Sequence, residues 1–329
     1  MQEILVLTTG GTIASRETEN GLAPGLSDEV IISYFGEQPA VNLSVERMMN
    51  KDSSNMQPED WLRLAEKLKA ERAAYDAFII THGTDTMAYT AAGLSYLLND
   101  FDRPIVLTGS QVPLEIDGTD AVRNLHDALT FASQTTLAGV YLVFNGLVMA
   151  GTRAIKTKTK SYDAFESINY PYIASVQDGV LHQHFTPKVN DKVLVSELAL
   201  DPNIFVLKAF PGMSVELFDY LADHVHGVII ESFGNGGLPF EGRNVVPGIQ
   251  KLTAAGIPVI ITTQILEEGQ DIYLYEVGKR VADAGGIPVG DMNTEAVVAK
   301  LMWVLAQTRN RDTVRVMMQT PIAHDLDFV

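Results

Sequence analysis

Residues 3–15 read EILVLTTGGTIAS, and residues 79–87 read IITHGTDTM. Each is an apolar run that breaks into glycines and hydroxyls. In an α/β protein such breaks fall at the carboxyl ends of parallel strands, where ligands bind. The first break supplies Thr8, Thr9 and Thr12 around Gly10 and Gly11; the second supplies Thr81, His82, Thr84, Asp85 and Thr86. Two threonine-bearing turns on one sheet edge predict a nucleophile and a second hydroxyl facing one pocket. That is a pattern for covalent hydrolysis with neither metal nor cofactor.

Outward from these stretches, similar runs recur along the chain. AFIITHG (77–83), RPIVLTGS (103–110) and GVYLVFNG (139–146) fall in the first half; NIFVLKAF (203–210), HGVIIESFG (226–234) and IPVIITTQ (257–264) fall in the second. They are nearly continuous rather than alternating, as parallel strands covered on both faces should be. Between them lie helical stretches. One begins at Pro58 with Trp61, Leu64, Ala65 and Leu68 on one face; one follows Asp85 with Ala88, Ala91, Ala92, Leu94, Tyr96 and Leu97; one spans 294–305 with Val297, Val298, Leu301, Met302 and Leu305. Proline suits the first helical turn. The rhythm pauses in HQHFTPKVNDKVLVSELALDP (182–202). The expected architecture is therefore α/β with two domains, residues 1–185 and 204–329, joined by a connection over 186–203. Residues 15–27, SRETENGLAPGLS, read as an exposed loop beside the first break and as a candidate lid.

Composition narrows the function. The 329 residues are 46% apolar and only 20% charged, enough for a large core, with a formal net charge of -17. That sign argues against nucleic acid or an acidic membrane surface as partner. Cysteine is absent, which removes disulfides, thiolate catalysis and cysteine-ligated zinc or iron–sulfur sites. The first apolar run is shorter than the core of a signal peptide and lacks a basic segment before it, and no run is long enough to span a bilayer. The expected setting is the cytoplasm.

The chemistry is then weighed residue by residue. Gly10 and Gly11 let backbone approach a ligand closely, but Thr12 needs a base to become nucleophilic. An isolated TGGT is more simply a strand-ending turn. Neither a dinucleotide fingerprint nor a lysine-bearing phosphate loop is present. Thr84 and Asp85 sit at a strand-to-helix joint, where free N–H groups favour an oxyanion; Asp85 also reads as an ordinary helix-start charge. His82 reads as hydrogen-bonded structure before it reads as a base. Lys156, in RAIKTKTKSYDAF, becomes a base if burial or a neighbouring cation lowers its pKa; on residues alone, a solvated lysine beside Lys158 and Lys160 is the preferred reading. Asp52, Ser53 and Ser54 are either caps for the Pro58 helix or a hydroxyl-lined cradle for a carboxylate.

Together the segments TTGGTIAS, KDSSNMQPEDW, IITHGTDTMAYTA, IVLTGSQVPL, RAIKTKTKSYDAFESINYP and VGDMNTEAVVAKLMW resemble the bacterial and archaeal type I L-asparaginases, in order and over nearly the whole chain. The resemblance implies a larger N-terminal α/β domain with a mainly parallel sheet and a smaller flavodoxin-like C-terminal α/β domain. It implies that Thr12 attacks the side-chain amide to form an acyl-enzyme, with Thr84, Asp85 and Lys156 as the hydroxyl, carboxylate and base beside it. Asp85 would also hold the substrate α-ammonium, Ser53 with the Asp52 and Ser54 backbone its α-carboxylate, and Ser110 backbone near the leaving amide. L-Asparagine is the implied substrate, with L-glutamine as the alternative, no cofactor or metal, and a homodimer or homotetramer as the assembly.

One departure stands out. Many relatives place a tyrosine on the loop after the first motif; Leu22 stands at that place here, and Tyr34 lies further along. Activation of Thr12 then falls to Lys156 with Thr84, or to another group. In the family a neighbouring subunit often completes the pocket, and Asn235, Tyr273 and Tyr275 match family turns without an assigned role. Two other readings remain. The amidohydrolase subunit of archaeal glutamyl-tRNA amidotransferase shares these motifs; a first strand at Glu3 and the net charge count against it. An amino-acid sensor that binds without turnover is the non-enzymatic reading.

Overall fold

The computed structural model describes residues 1–18, 21–36, 40–188 and 197–326. The chain forms two compact units, Met1–Leu194 and Val195–Val329. Part of the connection expected at 186–203, namely 189–196, lies outside the described residues.

In the first unit the chain runs β1 (Gln2–Gly10), a 3-10 turn (Thr12–Ala14), β2 (Ser15–Thr18), β3 (Gly21–Pro24), α1 (Asp28–Ser33), β4 (Val41–Lys51), a second 3-10 turn (Ser53–Asn55), α2 (Pro58–Glu71), β5 (Ala77–Thr81), α3 (Met87–Leu97) and β6 (Pro104–Thr108). It continues through α4 (Ala121–Gln134), β7 (Gly139–Phe144), β8 (Leu147–Ala150), β9 (Ala154–Lys156), β10 (Phe165–Ser167), β11 (Ala174–Gln177) and β12 (Val180–Gln183). The main sheet has eight strands in the order β12-β11-β8-β7-β6-β5-β1-β4. From β4 to β7 every pair is parallel; from β7 to β12 every pair is antiparallel. The inner strands β5 and β6 are buried at every residue, which is why their sequences carry no alternation.

Three elements escape that simple signal. β4 is an edge strand whose Val41, Leu43 and Val45 pack on the core while the residues between them do not. One covered face gives alternation, not a continuous apolar run. β8 follows a two-residue turn in which Asn145 (φ 50°) and Gly146 (φ 79°) are both left-handed, the conformation that a tight hairpin requires. The segment expected as an exposed loop over 15–27 is instead largely a hairpin. β2 pairs with β3 from Ser15↔Pro24 to Thr18↔Gly21, and Ser27 caps α1 by accepting from the Val30 N–H. Backbone pairing gives this short polar segment the order that its composition does not predict. Leu22 lies in β3 opposite Glu17.

In the second unit β13 (Ile204–Lys208), α5 (Leu217–His224), β14 (Gly227–Ser232), α6 (Val246–Ala254), β15 (Val259–Thr263), α7 (Glu276–Asp283) and β16 (Ile287–Pro288) alternate, and α8 (Thr294–Gln307) and α9 (Arg311–Gln319) follow. The four strands lie in chain order and all pairs are parallel. The fold is thus mixed α/β throughout, with a larger, mostly parallel sheet and a smaller, wholly parallel one.

Candidate active site

The order β6-β5-β1-β4 sets four parallel strands side by side, so their carboxyl ends share one edge. Each end opens into a polar turn: Thr108–Gly109–Ser110–Gln111, His82–Gly83–Thr84–Asp85, Gly10–Gly11–Thr12, and Lys51–Asp52–Ser53–Ser54. Glycine lets these turns interpenetrate. At Gly11 (φ 76°) a Cβ would stand 2.3 Å from the Gly83 nitrogen, and at Gly109 it would stand 2.2 Å from the His82 carbonyl oxygen. A Cβ at Gly83 would come within 2.6 Å of Ser53 Oγ. No other residue permits such approach, and segments distant in sequence become one surface.

Lys156 reaches this surface on β9, which is held in register by Phe165 of β10. Its Nζ donates to Thr84 Oγ1 at 2.7 Å and to Asp85 Oδ1 at 2.6 Å. The lysine side chain is 16% exposed and the aspartate 64%, so the ammonium stem is packed while the carboxylate meets solvent. The solvated-lysine reading therefore does not describe Lys156. Thr84 Oγ1 also donates to Gln111 Oε1 at 3.2 Å. The Gln111 amide is oriented in turn, because its Nε2 donates to the Lys158 and Ser161 carbonyls.

Ser53 is 3% exposed and sits between turns: its Oγ accepts from the Asp85 N–H at 3.3 Å, and its carbonyl accepts from Thr86 Oγ1 at 2.7 Å. The Asp52 carboxylate turns inward on its own loop and accepts from both the N–H and the hydroxyl of Ser54. Those two hydrogen bonds hold its pKa below the usual carboxylate value. The loop is anchored from behind, where Lys51 pairs with buried Asp60 at 2.7 Å and Asp60 caps α2 through the Gln57 N–H. Ser110 is fully buried with its hydroxyl donated to the Val112 carbonyl, so what it offers a ligand is backbone. Thr12 opens the 3-10 turn; its hydroxyl has no hydrogen-bond partner among the described residues.

Sequence reasoning missed the supports of this edge. Asp120, only 6% exposed, accepts from the N–H groups of Gln111 and Val112. Asn124 donates to the Gly109 carbonyl at 2.9 Å and accepts from the Asn145 N–H. Asp120 precedes α4 and Asn124 lies on it, and only the fold brings them under the Thr108–Gln111 turn. Tyr34 is partly buried and packs on the core of the unit. In the second unit, Asn235 Oδ1 accepts from the Asp271 N–H, and Tyr273 and Tyr275 are exposed. Among the described residues no cluster of three or more His, Asp or Glu is placed to ligate a metal ion, and no helix is long and apolar enough to cross a membrane.

A hydroxyl held by a lysine that is itself held by a carboxylate suits acyl transfer. The family model described as Asparaginase, N-terminal, matches residues 3–188, and that described as Glutaminase/Asparaginase C-terminal domain matches residues 203–318. An L-asparaginase of Thermococcus kodakarensis is 40% identical over 327 residues, covering 98% of this chain and 99% of its own. The solved structure of the thermostable L-asparaginase from Thermococcus kodakarensis superposes with a TM-score of 0.94 at 38% identity, covering 99% of this chain and 100% of that one. One subunit of the glutamyl-tRNA(Gln) amidotransferase of Pyrococcus abyssi is 32% identical over 342 residues, covering 99% of this chain and 77% of the relative.

Proposed function

The chain belongs to the asparaginase family, and on that premise we propose that it hydrolyses the side-chain amide of L-asparagine to L-aspartate and ammonia through an acyl-enzyme on Thr12. The observation that carries the reading is the Lys156 Nζ held between Thr84 Oγ1 and Asp85 Oδ1, in the turn that packs against the Gly11–Thr12 turn.

In this mechanism the Thr12 oxygen adds to the amide carbon while its proton passes towards the Thr84–Lys156 pair. The tetrahedral oxyanion collapses, the C–N bond breaks, and the nitrogen leaves as ammonia carrying the transferred proton. Water then attacks the Thr12 ester, releasing aspartate and restoring the hydroxyl. Lys156 serves as base once it has shed its own proton; its hydrogen bond to Thr84 then reverses direction. Asp85 receives the α-ammonium, and the α-carboxylate lies against Ser53 and its loop. With Leu22 where relatives carry a tyrosine, Thr84 and Lys156 are the activating groups in this scheme.

The amidotransferase relative keeps glutamine in view as a second substrate. One methylene shifts binding by about 1–3 kcal/mol, a preference that only measurement assigns. We place the enzyme in the cytoplasm as a homodimer or homotetramer. Support for self-association comes from the second unit, where Phe210, Ile265, Leu266, Tyr273, Leu274 and Tyr275 are all exposed.

The test is ammonia release from L-asparagine and from L-glutamine by wild type and Thr12→Ala. Wild-type release from asparagine should fall at least about 10³-fold in the variant, with the fold unchanged, because only the nucleophilic hydroxyl and one methyl group have been removed. A variant as fast as wild type sinks the Thr12 acyl-enzyme. Binding of asparagine by the wild type without release sinks the hydrolase and favours a sensor.

A further inference from the structure

We propose that His82 is a positioning residue for this hydrolysis, holding the Gly83–Thr84 peptide so that the Thr84 N–H is presented to the oxygen of the scissile amide. The inference rests on the amidohydrolase reading and concerns the same site.

His82 follows β5 and is fully buried. Its backbone N–H donates to the Thr108 carbonyl at 2.8 Å, which ties it to the neighbouring strand end. Its Nδ1 lies 2.7 Å from the Gly83 carbonyl oxygen, and its Nε2 lies 2.9 Å from Thr90 Oγ1 on α3. A carbonyl only accepts, so Nδ1 carries the proton; a neutral ring then leaves Nε2 bare to accept from the Thr90 hydroxyl. Burial supports the neutral form, pushing the imidazole pKa down to about 4. Both ring nitrogens are thus committed inside the protein, and His82 has none left to take a substrate proton.

What the ring does is orient a peptide. Among the described residues no peptide bond is cis. In a trans peptide the C=O and the following N–H point in opposite directions. With the Gly83 carbonyl drawn onto the imidazole, the Thr84 N–H faces away from it. That N–H has no acceptor among the described residues, although Thr84 is only 4% exposed. Two nearby donors are filled: the Asp85 N–H donates to Ser53 Oγ, and the Gly11 N–H donates to the Lys51 carbonyl at 2.8 Å. A nearly buried donor left unfilled beside an activated hydroxyl is suited to an anionic oxygen that exists only in the transition state.

The experiment compares His82→Asn, His82→Gln and His82→Ala. The asparagine amide nitrogen reaches about where Nδ1 lies and keeps the hold on the Gly83 carbonyl. Glutamine reaches towards Nε2 and loses that hold. For asparagine hydrolysis, kcat should fall about 10²-fold in His82→Gln and His82→Ala with KM within about threefold, and stay within about fivefold of wild type in His82→Asn. Equal losses in all three variants, or a rise in KM at constant kcat, overturn the role. Nitrogen-15 NMR of the wild-type imidazole covers the case in which the variants fail to fold. It should show a protonated Nδ1, a bare Nε2 and no titration between about pH 5 and 9; the other tautomer or a titrating ring overturns the proposal. A wild type that releases no ammonia sinks the amidohydrolase reading and this role with it, whereas full activity with indistinguishable variants sinks this role alone.

Discussion

The two units place buried polarity at opposite service. In the first unit, polar groups bridge separate strand ends and leave something over: Lys156 joins Thr84 to Asp85, His82 joins Gly83 to Thr90, and the Asp85 carboxylate remains 64% exposed. In the second unit the most deeply buried charges satisfy each other. Lys300 and Asp325 form an ion pair at 2.7 Å with both side chains at 0% exposure, and Lys300 also donates to the Thr320 carbonyl. Asn293 spends its side chain capping α8 through the Ala296 N–H. A cleft of about 350 Å³ in this unit is lined by Asn203, His226 and Pro258, which precede β13, β14 and β15. It therefore opens at the amino ends of the strands, the edge where parallel sheets do not ordinarily bind ligands. Polar residues near a sheet make a site when backbones approach closely enough to share them and one valence stays unspent; otherwise they close the fold.

The widest separation between the units should come from a paired experiment. Lys156→Met is expected to lower kcat on asparagine by about 10²–10⁴-fold, or roughly 3–5 kcal/mol of activation. It should leave the thermal midpoint nearly unchanged, since its carboxylate partner is already solvated. Asp325→Ala should do the reverse, costing about 3–5 kcal/mol of stability by stranding a buried ammonium while the enzyme that remains folded keeps its kcat. Urea titrations alongside steady-state kinetics check both, and a Lys156 variant that unfolds as readily as the Asp325 variant breaks the contrast.

A smaller effect sharpens it. Burial, helped by nearby Glu231, pushes the Glu295 carboxyl on α8 up to about 7. Between its ordinary value of 4.5 and about 7 the folded chain holds a proton that the unfolded chain has released, so stability falls as pH rises through that window. Glu295→Gln should remove the slope and add on the order of 1–2 kcal/mol at about pH 8, net of the helix-start charge it gives up. His82 has the opposite sign. Its pKa is lowered from 6.5 to about 4, so the first unit loses stability as pH falls through that range. Hydrogen exchange in each unit, corrected for intrinsic rates, should therefore drift in opposite directions on acidification; parallel drifts contradict the assignment.

Much of the fold was legible in the sequence. β1, β5, β6, β7, β13, β14 and β15 announce themselves as apolar runs, and α2, α3 and α8 as apolar faces, because burial imposes a local pattern; the two-residue β16 is too short to carry one. β4 and the β2–β3 hairpin were not, since an edge strand is covered on one face only and a short polar hairpin is held by backbone bonds. At the site, the hydroxyl-rich turns at Thr12 and Thr84 were visible because glycine and threonine at a strand end are a local signal. Lys156 read by itself as solvated, being one of three lysines in a polar run.

By itself, then, the sequence determined which segments become strands, where they break, and which residue types stand at the breaks, because those properties depend on neighbours within a turn or two. Only the tertiary structure decided that Lys156 meets Thr84 across 72 positions, that Gly11 seats against Gly83, and that Gln111, Asp120 and Asn124 stand behind them. Those contacts depend on strand order and on approaches of a few ångströms between distant backbones, which no local pattern encodes.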